Sequence, residues 1–248
     1  MKNLMKYEMR KTLSAKLILL GITAVAEIVF LIGLYAEKEG MLAIGIGILF
    51  ALAMGGVMAI GLQSIVTLHR DMNTKQSYML FMTPNSSYKI LGAKVLENGL
   101  SILIAGAFYF ALGALDISLL FAKQGQLNQV WQMIQDIIKS FNEEIPLTSD
   151  ALAAFTFSLL AGWITTVVTA YLADVISAAL LNGKSFNGVI SFVIFLVLNW
   201  AFGWLEGIAI RNIPNVVTMM LVRGGLSLVV AAVMYVAAAQ IMEKKLSV

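Results

Sequence analysis

The stretch GMLAIGIGILFALAMGGVMAIGLQSIVTL, residues 40–68, decides the fold, because it runs for 29 positions without Asp, Glu, Lys or Arg. A hydrocarbon core about 30 Å thick is crossed by roughly 20 apolar residues in a helix, which satisfies every backbone N–H and C=O within one segment. Residues 40–68 therefore predict a membrane span, and the flanking sequence repeats the pattern. Residues 17–36 are interrupted only by Glu27, and 98–115, 151–173, 185–205 and 224–242 are further charge-free runs, each extendable past a single charge. Unbroken runs of this length exclude a transmembrane β-barrel, whose strands alternate with a period of two over about ten residues. The expectation is an all-α polytopic membrane protein, one domain over 1–248, with spans at about 17–36, 41–68, 92–116, 151–181, 186–206 and 216–242.

Composition points the same way. Of 248 residues, 60% are hydrophobic and 12% charged, with a mean hydropathy of +0.87. Soluble domains carry about 25% charge, so the expected solvent is lipid. The absence of cysteine excludes a disulfide framework, thiolate metal ligands and thiol catalysis, and a single histidine, His69, argues against a histidine-built metal site. The net charge of +3 does not imply nucleic acid. Ala24-Val25-Ala26 has the look of a signal-peptide cleavage site, but the apolar run continues ten residues past it, so the first span is expected to stay attached.

Orientation follows from the basic residues. With the N-terminus in the cytosol, twelve of 17 Lys and Arg fall on the cytoplasmic side. Only Lys38, Lys123, Lys139, Arg211 and Arg223 do not, and this bias predicts six spans with both termini inside. Residues 1–15 place Leu4, Met5, Met9 and Leu13 on one helical stripe and Lys2, Lys6 and Arg10 on the other, which predicts an N-terminal amphipathic helix lying in the inner interface. Between spans two and three, Tyr78-Met79-Leu80-Phe81-Met82-Thr83-Pro84 places large apolar side chains in a cytosol-facing segment, where they need a covering surface. Ser86 or Ser87 is placed to cap the next helix. After span three, Leu127, Val130, Trp131, Ile134, Ile138 and Phe141 recur at spacings of three and four and predict an outer amphipathic helix.

Charged residues within spans are the informative ones, since each needs a partner or a watery cavity. Glu27 and Arg223 fall at matching depths and are expected to pair or to line one cavity, while Asp174 lies near the inner end of span four. No constellation suggests catalysis. Gly183-Lys184-Ser185 has the ending of a phosphate loop but Ala178 stands where its first glycine belongs, and a membrane turn supplies no preceding strand. The adjacent carboxylates Glu143 and Glu144 sit on a loop, and a Ser/His/Asp set would have to use His69 at a membrane boundary. The expectation is a chain without catalytic or metal-ligating residues.

Six spans, an interfacial N-terminal helix, the segment Tyr78 to Pro84 after span two and Lys94 opening span three together resemble the permease subunits of ABC-2-type exporters, also called type V ABC transporters. Within that group the chain is similar to bacterial exporters of amphipathic peptides such as phenol-soluble modulins and lantibiotics. The resemblance implies a cytoplasmic coupling helix at about 70–82, with Arg70, Asp71, Lys75, Tyr78, Leu80, Phe81 and Met82 meeting a separate ATPase. It also implies an outer gate in a short re-entrant region after span five, containing Glu206 and Arg211. The working complex would hold a second permease copy or a paralogue and two ATPases, with ATP and Mg on the partner chains. Glu27 and Asp174 match no family motif, and with Arg223 they are expected along the cargo path or as an intramembrane ion pair. Two other classes stay open: an ion-coupled or ion-conducting carrier working through Glu27, Asp174 and Arg223, and a non-transporting membrane scaffold. The implied location is the bacterial cytoplasmic membrane, and the implied cargo is hydrophobic or amphipathic.

Overall fold

The computed structural model describes residues 2–73, 86–123, 148–181 and 187–246, with Gln132, Gln135 and Lys139 as isolated helical positions. Helix α1 spans Lys2–Tyr35, α2 Glu39–Asn73, α3 Ser87–Lys123, α4 Ser149–Leu181, α5 Asn187–Ile210 and α6 Val216–Ile241, and a π-helical turn, Met242–Leu246, follows. Six helices are long and apolar enough to cross a membrane, and no strand occurs among the described residues. This is the architecture of a multi-pass helical membrane protein. Large apolar side chains such as Phe50, Phe110 and Trp200 point outward, as a lipid-facing surface requires.

Three boundaries differ from the sequence reading. Residues 2–15, expected as an amphipathic helix in the inner interface, run without a break into the first span as part of α1, because Ser14-Ala15-Lys16 contains neither proline nor glycine to break it. Its 34 residues extend about 51 Å at 1.5 Å per residue. Helix α3 runs past 116 to Lys123, since Asp116 is followed by six uncharged residues. Helix α5 likewise continues through Glu206 to Ile210, so the first part of the region expected to be re-entrant belongs to that helix. Only 211–215 separate α5 from α6, whose start is capped by Asn215 accepting from the Thr218 N–H at 3.1 Å. Of the coupling helix expected at about 70–82, residues 70–73 form the end of α2 and 74–82 lie outside the described residues, as does the outer helix over 127–141 apart from the three isolated positions.

The chain divides into two compact units, Met1–Ser64 with Leu96–Asp136, and Ile65–Val95 with Ile137–Val248. Helices α2 and α3 each contribute one length to each unit. In the first, Ala26, Phe30, Leu34 and Leu49 form a buried core with Leu112, Leu119 and Leu120 packed against it. Backbones approach closely here. A Cβ on Gly33 would lie 2.4 Å from the Leu42 nitrogen, and one on Gly45 2.7 Å from the Phe30 Cα, so glycine is what lets α1 and α2 meet. Their turn closes with the Lys38 N–H donating to the Gly33 carbonyl at 3.0 Å, around Glu37 at φ 56°. That left-handed conformation at a helix C-terminus is one that glycine normally supplies.

The second unit has the larger core, in which Leu68, Leu91, Val167, Tyr171, Val175, Ala238, Ala239 and Met242 pack together. Helices α4 and α6 meet at Gly224, where a Cβ would fall 2.5 Å from the Phe157 ring. Thr165 bridges them by donating to the Ser227 carbonyl at 2.8 Å. Helix α3 starts at Ser87, with the Ser86 carbonyl accepting from Lys89 N–H at 2.9 Å, where the capping serines predicted it.

Candidate functional site

The polar residues of the second unit gather where α2 ends and α3 begins. Asp71, in the last turn of α2, accepts from Lys94 Nζ at 2.9 Å, with side chains only 4% and 1% exposed. Two turns separate Ser87 from Lys94 along α3, so the ammonium reaches back across the gap between the two helix ends. Opposite charges in hydrogen-bond contact are the one arrangement that makes such burial tolerable. Beside it, Asp174 of α4 accepts through Oδ1 from Ser191 Oγ of α5 at 2.6 Å and lies 2.8 Å from His69 Nδ1 of α2. Ser177 Oγ, fully buried, donates to the Asn187 carbonyl at 2.7 Å. One carboxylate thus joins three helices. Because Ser191 donates to Asp174 and not to the imidazole, the set anchors helices and does not form the nucleophile and base relay of an acyl-transfer site.

The residues expected to meet an ATPase separate into two groups. Arg70 and Asp71 lie in α2, Arg70 exposed and Asp71 buried against Lys94. Lys75, Tyr78, Leu80, Phe81 and Met82 fall outside the described residues, as does Gly183-Lys184-Ser185.

In the first unit, the carboxyl groups of Glu27 of α1 and Asp116 of α3 lie close enough to interact. Glu27 lies eight residues before the end of α1 and Asp116 seven before the end of α3, about 12 and 10 Å along the axes. Two carboxyls hydrogen-bond only through a proton held by one of them. Glu27 Oε2 and Asp116 Oδ1 are buried without a partner. An apolar groove of about 270 Å³ opens beside Asp116, lined by Phe30, Leu49, Phe50, Tyr109 and Leu120 among others. Further along, Lys16 Nζ binds Glu97 Oε1 at 2.5 Å and Ser101 Oγ at 2.6 Å, and Thr12 donates to the same carboxylate oxygen at 2.9 Å.

Arg223 of α6 and Glu206 of α5 form an ion pair in the second unit. The partner of Arg223 is therefore the residue expected at an outer gate, and the partner of Glu27 is Asp116. Arg211 is exposed in the turn between α5 and α6.

Asp116 escaped the sequence reading because a search for charge-free runs ends at the first charge it meets. The apolar Ile117, Leu119, Leu120 and Phe121 just beyond it were the available signal. The Lys16–Glu97 contact joins residues 81 apart in sequence, and no local pattern reveals it. Among the described residues no three His, Asp or Glu side chains converge as metal ligands. No family model, curated protein or solved structure matches the chain.

Proposed function

We propose that the chain is the membrane-spanning permease subunit of an ATP-driven exporter of the ABC-2 type, moving hydrophobic or amphipathic cargo, peptides foremost, out of a bacterial cell. The observation that carries this reading is the anchoring of the helix ends that flank residues 74–85. A segment that receives a push from a partner must hand it to rigid elements. Asp71 and Lys94 tie its two flanking helices to each other, and His69 ties α2 to Asp174 of α4 and Ser191 of α5. Displacement of the segment would then move these helices together, shifting the population between two packings of the spans. Tyr78, Phe81 and their apolar neighbours are suited to bury themselves in a groove of the ATPase. ATP and Mg would be bound there, and a second permease copy or a paralogue would complete the complex in the cytoplasmic membrane.

The test is co-purification of the chain in nanodiscs with a candidate ATP-binding cassette protein. Wild type should hold the ATPase and raise its turnover. The double variant Tyr78→Asp/Phe81→Asp should lose both while remaining monodisperse. Equal association of wild type and variant, or none by either, would overturn the reading.

A second reading, an ion-coupled carrier, draws on the Glu27–Asp116 pair, since two carboxyls sharing a proton in an apolar setting are the parts of a proton relay. Proteoliposomes holding the chain alone should then conduct protons, and Glu27→Gln/Asp116→Asn should stop them.

A further inference from the structure

The apolar groove beside Asp116 in the first unit presents a single uncommitted polar group. Its lining comes from α1, α2 and α3 and is hydrocarbon or glycine except at Tyr109 and Asp116. The Tyr109 hydroxyl is engaged with Thr23 Oγ1 at 2.8 Å. Asp116 Oδ1 is buried without a partner, as is Oε2 of the neighbouring Glu27, and among the described residues no ion pair includes either carboxyl. A carboxylate withdrawn from water is tolerable beside an opposite charge, and the chain brings none here. Lys123 donates to the Leu34 carbonyl and lies 3.3 Å from Glu37 Oε1, and Lys38 is exposed in the α1–α2 turn.

The charge count at this end of the unit agrees. From Gly21 to Gly55 and from Gly106 to Lys123, the acids Glu27, Glu37, Glu39 and Asp116 stand against the bases Lys38 and Lys123. An acid-rich end selects a cation, and the lining selects its kind. An ionised carboxyl only accepts hydrogen bonds, so the group that meets Asp116 must donate as well as carry charge, and an ammonium does both. The rings of Phe30, Phe50, Tyr109 and Phe121 line the same groove, and aromatic faces attract ammonium groups. A hard metal ion instead needs many oxygen ligands, where this lining is almost wholly hydrocarbon. Ile46, Phe50 and Ile117 of the lining are exposed as lipid-facing side chains are, so the body of the ligand must be apolar too.

We propose that this groove binds a lipophilic organic ammonium, its charge held by Asp116 with Glu27 and its apolar body laid against Phe50, Leu120 and Phe121. Binding needs no ATPase, so the site stands or falls apart from the exporter reading. The test is isothermal titration of the full chain in phosphatidylcholine nanodiscs with phenylbutylammonium, phenylbutanol and phenylbutanoate, empty discs serving as the blank for partitioning. The ammonium should bind at least about tenfold more tightly than the alcohol, and Glu27→Gln/Asp116→Asn should erase that preference, about 1.4 kcal/mol. The anion should bind most weakly. Glu39→Gln, in the exposed turn, should change the affinity by less than about twofold. Equal binding of ammonium and alcohol by wild type, or none of either, would overturn the proposal, as would an undiminished preference in the double variant. Displacement of the ammonium by an equal concentration of sodium ion would make the site one for inorganic cations and overturn it too. Should the double variant aggregate, Phe50→Ala decides: weaker binding of ammonium and alcohol alike supports the groove, and affinity equal to wild type places the ligand elsewhere.

Discussion

Asp71–Lys94 and Glu27–Asp116 are both contacts between charged residue types on α2 and α3 or on α1 and α3, and they are built in opposite ways. The first joins opposite charges, each almost wholly buried and each satisfied. The second joins two acids, with one oxygen on each buried and unpartnered. A satisfied opposite pair holds helices in place. A like pair is no such anchor; around it α1 and α2 approach closely at Gly33 and Gly45, and α1 and α3 are tied by Lys16 and Thr12 to Glu97. Opposite-charge anchors occur in both units, Asp71–Lys94 in the second and Lys16–Glu97 in the first, while the contact between two acids lies beside a groove in the first.

The sharpest way to break that contrast is Lys94→Met. It leaves Asp71 buried without its counter-charge, and thermal unfolding in detergent should show a loss of about 3–5 kcal/mol. Lys94→Met/Asp71→Leu should regain most of it, since an apolar pair of similar volume needs no compensation. If single and double variants lose equal stability, the pair is not a unit. Next in size is Gly33→Ala. Its methyl would meet backbone atoms of Leu42, which cannot rotate away, so a cost of about 1–3 kcal/mol is expected. Gly224→Ala should cost less, because the nearest obstacle is the Phe157 ring, a side chain able to shift. Smaller again is Glu37→Gly, which relieves a left-handed backbone and should raise stability by about 0.5–1 kcal/mol. The loss of the mostly exposed contact from Lys123 to Glu37 at 3.3 Å offsets little of that. The smallest expected change in stability is from Glu27→Gln/Asp116→Asn, which should stay within about 0.5 kcal/mol, because both members of the contact are replaced by groups of the same shape. A large destabilisation by that pair would move it into the anchoring class and erase the contrast.

How much could be read in advance depends on the range of each interaction. The spans were legible because twenty apolar residues in a row constrain backbone hydrogen bonding wherever they fall, and the start of α3 was legible because capping is a matter of one or two serines. The ends of α1, α3 and α5 were less so. A lone charge such as Lys16, Asp116 or Glu206 interrupts an apolar run but does not interrupt a helix. Asp174 stood out in the sequence as a charge within a span, yet its partners His69 and Ser191 are 105 and 17 residues away, and nothing local names them. The pairing expected between Glu27 and Arg223 came from matching depths alone. Depth restricts a partner to one level of the membrane but does not say which helix brings it there.

By itself, then, the sequence determined that this chain is helical and that six of its segments suit a membrane, since both follow from hydropathy and backbone hydrogen bonding along a single stretch. Which charges meet was decided only by tertiary structure. An ion pair depends on the rotation and neighbour of each helix, and these are set by contacts such as that of Thr165 on α4 with Ser227 on α6, 62 residues apart.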